Sequence, residues 1–387
     1  MTALSLARRW PAAGRLVATG AVAGESVLRS PTPYDPRLVA DLRALVAHAG
    51  RMRKASARRA IQAVAASYLV CRGRGWHCSL HLGGPAATSA RLDLWSTPVL
   101  SVGERTPDMR CVARSGEAMV SVPARRPTVD DRAVARVEAT EDVAADLSRL
   151  LDELGGLQSL VAPGASVLLK ANFNSWHAPP ASTDLDLLTA TVGALRQAGA
   201  GRIALGECSA IALGRTRGVL RRAGVLEWAG AHDVQVRCFD EEPWQICEVP
   251  GRHFHQIVIP ACLEEFDRII YLLCAKTHHQ AGASLGLKMT IGFMHPAQRL
   301  ELHRDNLIER IADASLAVRP DLAVLDARQC FVTGGPDRGT VATPGLLLAA
   351  HNLEALEEAG LGVLAEHHAV GLDAGREQLA CALSLPA

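Results

Sequence analysis

From Val134 onward, short apolar runs alternate with longer segments whose apolar residues recur every three or four positions. Continuous short runs are typical of buried strands, and the longer spacing is typical of amphipathic helices. The pattern predicts strands at residues 134–137, 166–169, 202–205, 234–239, 268–273 and 321–325, and helices at residues 143–160, 185–197, 216–229, 306–317 and 355–367. This alternation predicts an α/β fold with a mostly parallel sheet covered by helices on both faces.

The first third of the chain has a different pattern. Helical periodicity covers residues 36–71, and three strand-like runs follow at residues 78–82, 90–95 and 99–102. Two prolines flank Arg125 and Arg126, which favours an extended connection after this part. We therefore predict a small α+β N-terminal domain over residues 1–125 and an α/β domain over residues 132–387.

Charge separates the same two parts. Residues 1–131 hold 19 Lys or Arg and 9 Asp or Glu, a formal charge of +10, whereas the remainder holds 22 and 31, a charge of −9. The basic part could attract the acidic part, or it could dock an acidic peptide or carrier protein. It has no nucleic-acid reader motif and no aromatic platform, which argues against nucleic acid.

Composition indicates a globular protein, because 49% of the 387 residues are hydrophobic and 21% are charged. No stretch approaches the ~20 apolar residues of a membrane span. The 10 cysteines show no paired CxxC spacing, as expected in a reducing compartment. The twin arginine at Arg8 and Arg9 leaves export open, but the apolar run that follows is short and interrupted by glycine, so we predict a cytoplasmic protein.

Lysine is scarce, with 4 residues among the 41 basic side chains, and three of the four lie in glycine-rich or polar surroundings at Lys170, Lys276 and Lys288. A compact ammonium whose pKa responds to burial cannot be replaced by arginine, so these lysines are candidates for chemistry. Ligands of open α/β sheets bind beyond the carboxyl ends of the strands. Polar residues follow five predicted strands there, namely Lys170, Asn172, Glu207, Ser209, Asp240, Glu241, Lys276, Thr277, His278, His279, Asp326 and Arg328.

The lysines among these residues predict a binding site for an anion, and the histidines beside them predict that a proton is transferred there. His278 is the candidate acid or base, because histidine titrates near neutral pH, and adjacent His279 should point away because neighbouring side chains of a strand alternate. The predicted catalytic residues are His278, Lys276 and Lys288. The predicted substrate-binding residues are Lys170, Asn172, Glu207, Ser209, Thr277, Gly334, Gly335 and Asp326.

The cofactor stays open. No dinucleotide fingerprint or phosphate-binding loop motif is present, and no metal site is assigned. His278, Glu207 and Asp240 would nevertheless be acceptable ligands for a divalent metal ion.

Several of these motifs resemble a known family, the domain of unknown function number 362, from Val134 onward. The residues that carry the resemblance are Val167 to Asn172, Lys276-Thr277-His278, Ser284 to Met289, and Gly334-Gly335-Pro336 with Gly339. Ala171 stands in place of the family's proline, and Met289 stands in place of its usual asparagine. The four-cysteine ferredoxin segment of many members is absent, which argues against an iron–sulfur cluster. The resemblance implies a fold and no particular reaction.

Three functions remain open at this stage. The first is an enzyme that binds a small anionic substrate or cofactor at the carboxyl edge of the sheet and performs isomerisation, racemisation or a redox step. The second is a ligand-binding module without catalysis. The third is a biosynthetic partner protein whose basic N-terminal domain docks a peptide or carrier.

Overall fold

The computed structural model describes residues 121–386, except 211, 212, 214, 215, 304 and 305, together with the backbones of four strands within residues 25–102. The chain divides into two compact units. One comprises Met1–Val120, Ala210–Arg215 and His295–Asp305, and the other comprises Ser121–Ser209, Thr216–Met294 and Asn306–Ala387.

The elements are named in chain order. The strands are β1 Glu25–Arg29, β2 Cys78–Gly83, β3 Ser89–Trp95, β4 Val99–Val102, β5 Ser121–Val122, β6 Val134–Glu138, β7 Ser166–Ala171, β8 Arg202–Glu207, β9 Gln235–Cys238, β10 Trp244–Glu248, β11 Gln256–Pro260, β12 Arg268–His278, β13 Gly282–Ser284, β14 Leu322–Phe331, β15 Val341–Ala342 and β16 Leu346–Ala350. The α-helices are α1 Val143–Asp152, α2 Leu185–Gln197, α3 Thr216–Arg222, α4 Val225–Ala231, α5 Gly286–Met289, α6 Pro296–Leu302, α7 Leu307–Ser315, α8 Leu353–Glu366 and α9 Asp373–Leu383.

The first unit contains an antiparallel sheet in the order β1-β2-β3-β4, and helix α6. The three strands predicted between residues 78 and 102 correspond to β2, β3 and β4. The predicted helical stretch at residues 36–71 lies outside the described residues.

The second unit is built on a large sheet in the order β6-β16-β14-β12-β7-β8-β9. The five strands from β14 to β9 run parallel, and β16 is antiparallel to both β14 and β6. A smaller sheet has the order β11-β10-β5. Apolar residues of α1, α2 and α4 form one core against the large sheet. On the opposite face, Gly360 of α8 packs on Leu325 of β14, so the prediction of a mostly parallel sheet with helices on both faces is confirmed.

Two predicted helices are shorter than their apolar periodicity suggested. The helix that begins at Val143 ends at Asp152, because Gly155 and Gly156 have φ angles of 87° and 75°. The predicted helix over residues 216–229 is two helices, which are separated at Gly224 with a φ of 76°. Glycine adopts this left-handed conformation without steric cost, so it ends a helix even where the apolar pattern continues.

Two central strands are longer than predicted. Strand β12 continues to His278 and β14 continues to Phe331, so both include polar residues that the sequence placed in loops. The extension of β12 is stabilised by the short antiparallel strand β13, which pairs with Lys276, Thr277 and His278. The polar residues therefore lie on a hydrogen-bonded and rigid backbone.

No helix among the described residues has both the length and the apolar character that crossing a membrane requires.

One buried carboxylate connects α7 to the loop between β10 and β11. The two carboxylate oxygens of Asp313 accept hydrogen bonds from the backbone N–H groups of Arg252, His253 and Phe254 at 2.8, 2.7 and 2.9 Å. Asp313 is 1% exposed, so water cannot replace these bonds. The Asp313 side chain thus binds three consecutive backbone N–H groups of the loop.

We expect Asp313→Ala to lower the free energy of unfolding by about 2–4 kcal/mol, because it leaves partly or fully buried N–H donors without an acceptor. Urea unfolding followed by circular dichroism measures the change. The control is Asp373→Ala, whose carboxylate is 98% exposed. A loss of the same size in both variants would contradict the anchoring role of Asp313.

Candidate functional site

The order of the parallel strands creates a topological switch point at the carboxyl edge of the sheet. From β7 the chain continues to β8 on one side, whereas from β12 it continues to β14 on the other. The connections after β7 and β12 therefore diverge, so the strand order reverses between these two neighbours. In open α/β sheets such a switch point is where ligands bind.

The end of β7 carries a buried ion pair. The Lys170 ammonium donates to Glu207 Oε1 on β8 at 2.8 Å and to the Ala171 carbonyl at 2.7 Å. Glu207 also accepts from the backbone N–H groups of Phe173 and Cys208, both at 2.7 Å. Both charged side chains are almost fully buried. The charge of Lys170 is thus balanced within the protein.

A tight cover lies over this ion pair. A methyl group on Gly292 would lie 2.6 Å from Lys170 Cε and 3.2 Å from Glu207 Oε1, so only glycine fits there. The Met289 sulfur lies 3.5 Å from the Lys170 nitrogen, and the Phe293 ring centre lies 5.8 Å from it. The segment after β13 therefore shields the ion pair from water.

Lys276 lies near the end of β12 and is buried without a carboxylate in direct contact. Its ammonium donates to the backbone carbonyl of Ala181, in the loop that follows β7. Within the described residues, no carboxylate oxygen lies within 4.0 Å of it. Burial lowers the pKa of Lys276, and Lys170 adds to this effect, whereas Asp337 and Glu207 oppose it. The Lys276 amine can therefore lose its proton more readily than a surface lysine.

The neighbouring Thr277 is 2% exposed, and its hydroxyl has no hydrogen-bond partner in the described part of the chain. The glycine turn lies against its backbone. A methyl group on Gly335 would lie 1.8 Å from the Thr277 carbonyl oxygen, and Gly335 has a φ of 59°. Gly334 also has a positive φ, at 75°, and the Gly335 N–H donates within the turn to Arg338. The turn thus packs directly on β12.

His278 is 7% exposed and lies at the start of the turn into β13. Its Nδ1 accepts from the backbone N–H groups of Gln280 and Ala281 at 3.1 and 3.2 Å. An Nδ1 that accepts two hydrogen bonds carries no proton, so the neutral ring has its proton on Nε2. The backbone of the turn therefore fixes both the tautomer and the orientation of His278.

The expectation that His279 points away from His278 is wrong. The two rings stack with centres 4.9 Å apart and planes inclined by 10°. Strand β12 ends at His278, and His279 begins the turn, so the alternation of an extended chain no longer applies. His279 Nδ1 lies 3.0 Å from the Gly335 carbonyl oxygen, which connects this turn to the glycine turn.

Lys288 lies half-buried on the short helix α5, which is held by a buried acid on α8. Glu357 is fully buried, and its Oε2 accepts from the Leu287 N–H at 2.8 Å. Burial raises the pKa of Glu357 to about 7, although backbone hydrogen bonds from Leu287 and Gly286 oppose the shift. Its Oε1 has no partner among the described residues. Glu357 thus fixes the backbone that carries Lys288.

The remaining predicted residues serve mainly local contacts. Ser209 donates to the Phe173 carbonyl at 2.7 Å, and the Asn172 backbone pairs with Thr183. Asp326 forms two side-chain hydrogen bonds with Arg328, at 3.0 and 2.7 Å. No three His, Cys, Asp or Glu residues in the described segments are grouped as a metal site, and His278, Glu207 and Asp240 form no such group.

Sequence reasoning missed three parts of this region, namely Ala181, Gly292 and Glu357. Glu357 could have been found, because it interrupts the apolar stripe of α8 that contains Leu353, Leu356, Leu361 and Leu364. The backbone contacts of Ala181 and Gly292 leave no comparable signal in the sequence.

The fold defines the class as a mixed α/β protein, and the candidate residues lie where the order of its parallel strands reverses. The family described as "Domain of unknown function (DUF362)" matches residues 167–362, a range that begins in β7 and ends in α8. The chain belongs to this family, and the resemblance inferred from the sequence motifs is confirmed. The match contains Lys170, Glu207, Lys276, His278 and Lys288.

The chain is also similar to a thylakoid-associated protein of Synechocystis sp.. It is 27% identical to this chain over 221 residues, which cover 55% of this chain and 67% of that protein. The name of that protein states an association with thylakoids and no reaction.

Glu357 makes stability depend on pH. The folded state holds the Glu357 proton up to about pH 7, whereas a solvated glutamate releases it near pH 4.5. Stability should therefore fall between these two values as pH rises, by up to roughly 3 kcal/mol for this group. Glu357→Gln should remove this dependence and be more stable than the wild type above pH 7.

Urea unfolding at several pH values measures the difference. Glu358→Gln is the matched control, because Glu358 is the next residue on α8 and its side chain is 69% exposed. The assignment fails if the two variants show the same pH dependence relative to wild type.

Proposed function

We propose that this protein is an enzyme that binds a small anionic molecule at the carboxyl ends of β7 and β12 and transfers a proton at a carbon next to a carboxylate. The observation that carries the proposal is Lys276, a buried amine at the switch point whose hydrogen bond goes to the neutral Ala181 carbonyl. Isomerisation and racemisation both contain such a step.

Electrostatics supports an anion as the ligand. Burying an ammonium without a paired carboxylate is unfavourable, and a bound anion supplies the missing charge. Lys170 differs in this respect, because Glu207 already balances it at 2.8 Å. Lys276 is therefore the buried lysine whose environment a negative ligand would improve.

The lowered pKa of Lys276 suits a general base. When the neutral amine removes a proton from carbon, negative charge develops on the substrate while the amine becomes an ammonium. The two opposite charges form together in a site shielded from water, which stabilises the transition state. The anionic substrate binds beside the neutral amine in this scheme, and its charge stabilises the ammonium that forms when the proton is transferred.

His278 supplies the second proton carrier of the proposal. Its Nδ1 is occupied by two backbone N–H groups, which leaves the Nε2 proton as the one it can donate. The Thr277 hydroxyl lies between Lys276 and His278 in sequence and has an unused hydrogen-bonding capacity. Lys288 would add positive charge from α5.

We place this activity in the bacterial cytoplasm. The described cysteines, seven between Cys208 and Cys381, are free thiols, as is usual in a reducing compartment.

Lys276→Met separates function from stability. Methionine has a similar length and removes the cost of burying the amine, so the variant should melt at or above the temperature of the wild type. Activity is measured as deuterium incorporation from D₂O into a panel of 2-hydroxy and 2-amino acids, observed by NMR. We expect wild-type incorporation into at least one of them and a loss of about 10²–10⁴-fold in the variant.

Arg132→Met is the control, because Arg132 is 55% exposed and lies in the segment before β6. His278→Asn should likewise lose incorporation with an unchanged melting temperature. If Lys276→Met retains the wild-type exchange rate, Lys276 is not the base. If ligand binds to wild type without any exchange, the protein is a binding module.

A further inference from the structure

We propose that a cleft beside Trp176 is the recognition pocket for an anionic molecule with a flat apolar portion. This inference rests on the proposed function, since the cleft borders the loop that contacts Lys276. The cleft has a volume of about 370 Å³ and lies between the loop after β7 and the end of α3. Its lining includes Phe173, Trp176, His177, Ser182, Thr183 and Arg222.

Arg222 provides a positive charge at this cleft. Its guanidinium carbon lies 3.6 Å from the centre of the Trp176 ring, within stacking distance. Stacking restricts the side chain and leaves its N–H edge able to bind a carboxylate or phosphate in a bidentate manner. In the described residues Arg222 has no carboxylate partner, whereas Arg217 on the same helix pairs with Glu241.

His177 provides a second polar group. Its Nδ1 lies 3.0 Å from the hydroxyl oxygen of Ser175, and the ring is half-buried in the wall of the cleft. When the Ser175 hydroxyl donates to Nδ1, the neutral ring carries its proton on Nε2. The second nitrogen can then donate to the same anion as Arg222.

The acidic residues at the cleft do not balance Arg222 directly. Asp184 is the N-cap of α2 and accepts from the backbone N–H groups of Asp186 and Leu187 at 2.8 and 3.2 Å. It also lies 3.4 Å from Arg328. Asp186 is exposed at the rim, where solvent and salt screen its charge.

The position of the cleft connects recognition with the proposed chemistry. Ser182 and Thr183 line it, and the preceding Ala181 accepts the hydrogen bond of Lys276. A molecule in the cleft would therefore lie against the loop that Lys276 holds. The volume is near the lower end for small-molecule sites, and the aromatic walls at Phe173 and Trp176 suit a ring, so an aryl or heteroaryl acid is the ligand class.

The test uses the full chain with three probes, which are benzoate, phenyl phosphate and benzyl alcohol. Binding is measured by isothermal titration calorimetry and by quenching of tryptophan fluorescence. We expect at least one of the two anions to bind, and benzyl alcohol to bind at least about 10-fold more weakly, because it lacks the charge. The two anions distinguish a carboxylate from a phosphate site.

Arg222→Met should weaken anion binding by about 10-fold or more. Arg221→Met is the matched control, since Arg221 is exposed on the same helix and does not line the cleft. Trp176→Phe should remove the fluorescence change while retaining part of the affinity. The proposal is overturned if neither anion binds at about 10 mM, or if Arg221→Met and Arg222→Met weaken binding equally.

Lys276→Met distinguishes this proposal from the proposed function. Suppose that this variant binds the probe as the wild type does and Arg222→Met does not. The cleft is then the anion-binding pocket, whether or not the protein transfers a proton. If Lys276→Met abolishes binding while Arg222→Met retains it, the cleft is wrong and the anion binds at Lys276 alone.

Discussion

The ion pair between Lys170 and Glu207 is the interaction on which the carboxyl edge depends. It joins β7 to β8 through two almost fully buried side chains, and Glu207 also binds the backbone that continues beyond each strand. Removing either partner would leave a buried charge, which is far more costly than the net value of the pair. The loops that leave the sheet here therefore begin from fixed positions, and Gly292 packs closely on both members of the pair.

Two buried lysines at one edge serve different purposes. Lys170 has an internal carboxylate and acts as part of the framework, whereas Lys276 contacts a neutral carbonyl and has a lowered pKa. This contrast is the physical basis for proposing Lys276, and not Lys170, as the proton carrier. Glu357 adds a second titrating group behind the site, because it holds the helix that carries Lys288.

The sequence predicts much of the sheet, because apolar runs and helical periodicity report burial directly. It fails where glycine overrides periodicity, as at Gly155 and Gly224. Candidate residues such as Lys170 and Lys276 could be found from their scarcity and their position after apolar runs. Their partners could not, since the Ala181 carbonyl and the Gly292 contact arise from backbone proximity between distant segments. The stacking of His278 on His279 depends likewise on where one strand ends.

The pairing of β6 with β16 has a consequence for biosynthesis. Val134 leaves the ribosome more than two hundred residues before Ala350, its partner across the sheet. At a translation rate of about 5–20 residues per second, Ala350 is synthesised on the order of ten to forty seconds after Val134. A nascent chain of this protein thus carries β6 without its sheet partner while more than half of the sequence is translated.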